Sequence, residues 1–481
     1  MNKWLQPAQI GRVLGPILFF IIQFYWTPNG LSEQGVAVFA VASWVGIWWV
    51  TEALPIAVTA ILPVVLFPLS GALDIAATTT AYGHKYVFLY LGGFFLAIAI
   101  EKVNLHRRIA LTVISLIGTR IRMIVLGFMV ATAFLSMWIS NTATSVMMLP
   151  IGLAIVAQFR DHPDTPENEH EEFGKMLMLA IAYSASLGGI ATLIGTPPNL
   201  VLAGIVKELY EVEINFLDWM LFAFPLSVLL LFICWVYLTR YAVKLEAAHF
   251  TGGVEEIKRQ RKLLGIMSSN EKRVLIVFVL TAFAWMTRSF LFSPIIPAID
   301  DTLIALIAGI LLFVIPSSEE KGGVLEWDDA KKIPWGILLL FGGGLAIAQG
   351  FKDTGLAKWL AEQLTQLDFL PLLVMTLVLV AVINFLTEVT SNLATTAMIL
   401  PVLAPLAGAM GVHPYIFMVS ATLAASCAFM LPVATPPNAV VFGSGYINMS
   451  SMMRAGFGLN LISILLITFW VFYLLPYFWA L

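Results

Sequence analysis

Residues 136–150 read SMWISNTATSVMMLP, and within them Ser140, Asn141, Thr142, Thr144 and Ser145 interrupt an apolar run that extends over 122–157. A membrane-crossing helix needs about 20 apolar residues, so this run is too long for one relaxed span and is broken at its middle. Backbone N–H and C=O groups freed by a break at membrane depth are tolerated only where they line a cavity or bind something. Ser, Asn and Thr cap helix ends and also present side-chain donors and acceptors. The stretch therefore reads as the tip of a re-entrant hairpin that enters and leaves on one side.

The pattern occurs twice. FLSMWISNTATSVMMLPI (134–151) lines up with FLTEVTSNLATTAMILPV (385–402), which sets a second hairpin over 371–409. LYLGGFFLAIAIEKVNLHRRIA (89–110) lines up with LLFGGGLAIAQGFKDTGLAKWLA (339–361), and ATLIGTPPNLVLAG (191–204) with FMLPVATPPNAVVFG (429–443). Each half runs span, hairpin, then a span broken at Thr-Pro-Pro-Asn, because a double Pro cannot continue a helix and frees the carbonyls before it. Ser and Thr in membrane helices are often plain packing residues, but two copies of the whole order point to a site. Inverted repeats with broken helices are the architecture of secondary transporters, with substrate bound where the repeats meet.

Composition agrees. With 60% hydrophobic and 11% charged residues, mean hydropathy +0.91 and 14 Trp, the chain is an all-α polytopic membrane protein rather than a soluble one. Apolar runs near 13–27, 35–52, 56–72, 85–101, 175–207, 217–239, 273–293, 299–316, 335–351, 412–446 and 454–480 predict about 11 transmembrane helices beside the two hairpins. The N-terminus has a short basic start without a small-residue cleavage site and reads as an uncleaved first span. Placing it in the cytoplasm puts about 21 of the 26 Lys and Arg inside, with the C-terminus outside. Only Lys85, Lys207, Arg288, Lys352 and Lys358 then fall outside. In this topology the hairpins open to opposite sides, so the halves are inverted. The segments 240–273 and 161–174 read as solvated linkers or interfacial helices. A net charge of −3 and the lack of a basic tract give no reason to expect a nucleic-acid partner. Cys234 and Cys427 match no metal or redox spacing and read as packing residues.

SNTAT (140–144) and SNLAT (391–395), with GTPPN (195–199) and ATPPN (434–438), resemble the motifs of the divalent anion/sodium symporters, which carry Krebs-cycle dicarboxylates, citrate or sulfate. The resemblance covers nearly the whole chain. It implies a homodimer in the inner (plasma) membrane whose transport domain carries both hairpins in an elevator-like shift against a scaffold. The division drawn on it is scaffold 1–84, first transport elements 85–208, scaffold with the cytoplasmic loop 209–334, second transport elements 335–449, and a final helix 450–481. It further implies that Ser140, Asn141, Thr142, Ser391, Asn392, Thr435 and Pro436 bind substrate. One Na⁺ site would use Ser136, Ser140, Asn141 and Gly195, and a second would use Thr387, Thr390, Asn392 and Ala434. Two positions depart from the family pattern. Leu393 stands where bacterial dicarboxylate carriers often have Thr, and Thr390 where a small Ala is frequent.

Charge bookkeeping supports the same expectation independently. These motifs contain no Lys or Arg, so a dianion there would meet only dipoles and neutral donors, and an uncompensated buried charge is costly. Bound Na⁺ would supply the compensation. The expected activity is secondary active import of a dicarboxylate of the succinate, malate or fumarate class with Na⁺. The alternatives are a sodium-independent exchanger and a citrate or sulfate carrier. An enzyme is not expected, since no acid–base pair, metal cluster or nucleophile motif falls within the spans. Three charges remain. Glu388, four residues before Asn392, reads as tuning the second Na⁺ site, as an ion-pair partner, or as a cap. Glu52 reads as a cap, and Arg288 as snorkelling to the outer surface. His84, His106, His249 and His413 are placed at surfaces or interfaces with no site role.

Overall fold

The computed structural model describes residues 7–117, 120–161, 169–243, 252–319, 321–364 and 371–479. The described residues form helices and loops with no strand, apart from an isolated bridge between Pro316 and Gly323. Among them, nine helices are long and apolar enough to cross a membrane, which makes this a multi-pass membrane protein. Seven of the nine coincide with expected crossings; the other two are the second arms of the hairpin regions, Asn141–Arg160 and Asn392–Ala409. The four remaining expected crossings differ for a physical reason. The runs near 56–72 and 299–316 form short helices that end at Ser70 and Val314, and the other two are divided at their Pro-Pro pairs.

Both polar clusters break their helices where the sequence places the breaks. Ile121–Ser136 is followed by Asn141–Arg160, and Leu372–Leu386 by Asn392–Ala409. Ser140 and Ser391 are the N-caps, accepting from Ala143 N at 3.2 Å and Ala394 N at 3.5 Å. The divided spans are Glu169–Gly189 with Pro197–Tyr210, and Pro414–Ala425 with Pro436–Phe442. In each, the two prolines open the second half-helix, where a missing N–H costs nothing.

Small residues set the close contacts between helices, as is usual where lipid removes the hydrophobic drive. A Cβ on Gly92 would lie 2.6 Å from Ala305 C, so Lys85–Lys102 rests almost backbone to backbone on Asp301–Val314. In Trp335–Asp353, a Cβ on Gly343 would meet Ala60 O at 2.5 Å and one on Gly344 would meet Ala397 Cβ at 2.9 Å. That helix is thereby wedged between the segment near residue 60 and the second hairpin region.

Two sequence expectations are corrected here. Arg288 does not snorkel. Its side chain is 12% exposed and pairs with Asp301 at 3.0 Å and Glu213 at 3.2 Å, and Lys85 joins Glu213 at 2.6 Å. A cation near a membrane surface takes a carboxylate when one is within reach. His106 is buried, with a ring nitrogen 3.2 Å from Ile100 O, rather than interfacial. His84 and His413 are N-caps of helices, accepting from Tyr86 N and Tyr415 N. His249 lies outside the described residues. Both cysteines are buried and free.

Candidate functional site

Four helix N-termini face one cavity of about 560 Å³: those opening at Ser140, Thr196, Ser391 and Thr435. The first N–H groups of a helix have no intrahelical partner and the macrodipole places partial positive charge there, so the ends opening at Ser140 and Ser391 attract an anion; the two Pro-Pro ends offer no N–H at their first two positions and only line the cavity. Among the described residues, no Lys, Arg or His lines the cavity, and Glu52 is the one charged residue in its wall. The positive potential therefore comes from backbone and neutral donors.

Beside each hairpin tip lies a group of oxygens with too few hydrogens. At the first, Ser136 Oγ stands 2.5 Å from Asn141 Oδ1 and 2.7 Å from Ala185 O. One hydroxyl hydrogen cannot serve both acceptors. The Asn141 amide oxygen also faces Ala185 O and Gly195 O; only when the amide is turned over does its NH₂ donate to them, at 3.2 Å each. Turned over, the amide donates to Ser136 Oγ, Ala185 O and Gly195 O; in the other orientation, the same oxygens form a set that a cation would satisfy. The space is kept by glycine, since a Cβ on Gly189 would sit 2.6 Å from Asn141 Oδ1.

The second tip repeats the arrangement. Thr387 Oγ1 stands 2.6 Å from Asn392 Oδ1 and 3.0 Å from Ala425 O, again three oxygens around a single hydrogen. Ser136 and Thr387 are buried behind the cavity, whereas Asn141 and Asn392 reach both the oxygen groups and the cavity wall. Carboxamide and hydroxyl oxygens with backbone carbonyls form the donor set of a hard monovalent cation, and the described residues contain no cluster of His, Cys, Asp and Glu suited to a transition metal.

All seven expected substrate contacts, Ser140, Asn141, Thr142, Ser391, Asn392, Thr435 and Pro436, line the cavity. Gly195, Thr390 and Ala434 line it as well. Thr390 bonds within its own hairpin, to Leu386 O at 2.9 Å and Thr395 Oγ1 at 2.7 Å, rather than to the Thr387 group. Sequence reasoning missed the carbonyls of Ala185 and Ala425. The available signal was the helix break itself, which frees carbonyls at the end of the preceding half-helix. It also missed Asn199 and Asn438. Asn199 Nδ2 lies near the carbonyls of Gly189, Ile190 and Thr192, at 3.3, 3.2 and 2.7 Å, and Asn438 Nδ2 near those of Ala428 and Leu431, at 3.2 and 3.0 Å. Each amide on the second half-helix thus ties down the frayed end of the first.

Glu388 is buried and acts as a cap. Its carboxylate accepts from Phe429 N, Met430 N and Leu431 N, at 2.7 to 3.1 Å, and from Asn460 Nδ2 at 2.7 Å. Glu52 ends the helix Glu33–Thr51 in the left-handed conformation, with φ 47°, and lies in the cavity wall.

Residues 8–479 match the family described as sodium:sulfate symporter, transmembrane region. A sodium-dependent dicarboxylate transporter, SdcS, of Staphylococcus saprophyticus is 45% identical over 482 residues, covering 99% of this chain and 93% of the relative. The SdcS of Staphylococcus aureus strain USA300 is 46% identical over 473 residues, covering 97% and 91%. Among solved structures, the MtrF efflux pump of Neisseria gonorrhoeae aligns over 98% of this chain and 96% of its own with TM-score 0.59. The YdaH transporter of Alcanivorax borkumensis aligns over 84% and 88% with TM-score 0.56. Both are 13% identical and bear on the fold alone.

Proposed function

The chain belongs to the sodium:sulfate symporter family, and from that premise we propose that it is a secondary active transporter importing a dicarboxylate together with Na⁺. The observation that carries the reading is the pairing of one dipole-lined cavity, whose described lining holds no Lys, Arg or His, with two matching groups of hydroxyl, amide and backbone carbonyl oxygens, one beside each helix break. The N-terminal dipoles suit carboxylates, and the oxygen groups suit Na⁺. Asn141 and Asn392 belong to both, so filling one favours filling the other. The sodium-dependent dicarboxylate transporters to which the chain is 45–46% identical name the same substrate class.

In this reading Ser140, Asn141, Thr142, Ser391, Asn392, Thr435 and Pro436 hold the dianion. Ser136, Asn141, Ala185 and Gly195 hold one Na⁺, and Thr387, Asn392 and Ala425 the other. Ser140, Thr390 and Ala434 shape the approaches. The two halves act as inverted repeats whose hairpins are re-entrant, and the working unit is a homodimer with an elevator motion. Within this reading we draw the boundary of the mobile part differently from the sequence division. Helix Lys85–Lys102 goes with the frame through Gly92 and Ala305. Phe216–Tyr237 goes with the mobile elements through Ser227 Oγ to Leu187 O at 2.6 Å, and Met449–Trp479 through Asn460 and Glu388. The N-terminus is read as cytoplasmic from the bias of Lys and Arg alone.

The test is uptake of labelled succinate into proteoliposomes with and without an inward Na⁺ gradient. Steep Na⁺ dependence is expected, with stimulation by a negative interior if more than two Na⁺ accompany each dianion. Equal uptake in choline and Na⁺ buffers, accelerated only by internal dicarboxylate, would establish an exchanger instead.

A further inference from the structure

The two oxygen groups are built alike but are not electrostatically alike. Beside the second lies the carboxylate of Glu388, the residue next to Thr387; the aligned position beside the first is Met137. Glu388 is buried and has no Lys, Arg or His partner among the described residues. Its two oxygens take part in five hydrogen bonds, all as acceptors, from three consecutive backbone N–H groups and one amide. Those donors occupy its lone pairs, so it cannot also be a direct ligand of a metal ion. These donors face the carboxylate with dipoles alone, in a low-dielectric setting where Coulomb interactions carry far.

Resting on the sodium-coupled reading above, we propose that Glu388 makes the second sodium site the tighter of the two, so that Na⁺ enters at Thr387 and Asn392 before it enters at Ser136 and Asn141. Glu388 is a positioning residue as well as a charge. Its grip on Phe429, Met430 and Leu431 fixes the chain just beyond Ala425, whose carbonyl belongs to the second group. Filling that site first holds the Asn392 oxygen, which already faces Thr387 Oγ1 at 2.6 Å, on Na⁺ and keeps its NH₂ available to a carboxylate at the second helix break. The first site lacks such a charge and gains from the dianion itself, so its Na⁺ binds best with substrate present. At an effective dielectric of about 20 to 40, a unit charge within about 10 Å of a cation changes its affinity by on the order of tenfold.

The experiment compares wild type, Glu388→Gln and Glu388→Asp in proteoliposomes. It measures half-saturating Na⁺ at saturating succinate, and KM for succinate at saturating Na⁺. Glu388→Gln is expected to raise half-saturating Na⁺ about tenfold with KM changed less than twofold, and Glu388→Asp to recover most of the loss. A second measurement does not need the Gln variant to fold: stabilisation of the purified protein by Na⁺ alone, followed as a shift in Tm. The shift at low Na⁺ should survive Ser136→Ala and disappear in Thr387→Ala. Unchanged Na⁺ activation in a folded Glu388→Gln carrier overturns the proposal, as does a Tm shift that Ser136→Ala abolishes and Thr387→Ala leaves. If wild-type uptake itself ignores Na⁺, the failure belongs to the sodium-coupled reading instead.

Discussion

Gly189→Ala tests the first oxygen group without removing a single polar atom. The new methyl would lie 2.6 Å from Asn141 Oδ1, 3.0 Å from Asn141 Nδ2 and 3.1 Å from Gly195 O. All three are closer than comfortable contact, and two are the oxygens assigned to Na⁺. The Asn141 amide has to swing away or the break in the span has to open, and overpacking of this kind costs about 1–3 kcal/mol. Since 1.4 kcal/mol is about a factor of ten, half-saturating Na⁺ should rise roughly five- to hundredfold. The assay is Na⁺ activation of succinate uptake in proteoliposomes, with size-exclusion and Tm measurements to establish folding. Gly93→Ala is the control in the same cavity wall, because the nearest atom its Cβ would meet, on Ile194, lies at an ordinary contact distance of 3.7 Å. It should change Na⁺ activation less than twofold. A folded Gly189→Ala carrier with wild-type Na⁺ activation would refute the assignment of these oxygens to a cation.

Three further outcomes are expected. Asn141→Ala and Asn392→Ala should each cut transport by at least one to two decades, since losing a hydrogen bond to a charged group costs about 1.5–3 kcal/mol, whereas Thr144→Ala, buried outside the cavity wall, should lose much less; near-normal uptake by both Asn variants would make the hairpin tips structural. Arg288→Met strands the buried Asp301, while Glu213 keeps Lys85, and should destabilise the protein by about 3–5 kcal/mol, read as a lowered Tm in detergent that Asp301→Asn partly restores; an unchanged Tm would show that the cluster carries no stability. Glu52→Gln removes the one charge lining the cavity, so competition assays should show succinate binding about two- to fivefold tighter and trivalent citrate gaining more than succinate; equal effects on both anions would place Glu52 out of electrostatic reach of the substrate.

The parts of the fold legible in the sequence are those where side-chain chemistry contradicts its surroundings. Five polar residues inside an apolar run, and two prolines inside a span, located the helix breaks at both polar clusters and at both Pro-Pro pairs, and Ser140 and Ser391 took up the capping role their position implied. What stayed hidden lies in backbone or in distant pairing. Ala185 and Ala425 contribute carbonyls, which every residue possesses, so nothing in their identity marks them. Asn199 and Asn438 are chemically indistinguishable in sequence from Asn141 and Asn392, yet they hold backbone while the other two reach the cavity. Glu388 had a spacing consistent with one helical face shared with Asn392, but the helix ends at Leu386 and its side chain turns to the loop after Ala425. Arg288 was misread because Glu213 is remote in sequence and Asp301 opens the next membrane-buried helix, neither of which local periodicity reports.

The amides of Asn199 and Asn438 also separate two kinds of evolutionary freedom. Because each bend in the broken spans is held from outside by an amide on the far half-helix, side chains within the bends, such as Ile194 and Val433, can be exchanged while the carbonyl lattice stays in register. Ile194, Val433 and Leu393 all face the cavity, so its shape and polarity can drift toward a longer, shorter or differently charged anion without disturbing the oxygens assigned to Na⁺. A lineage built on this plan can change its cargo while keeping its energy source, and the positions to randomise when engineering new anion selectivity are these three rather than the asparagines around them.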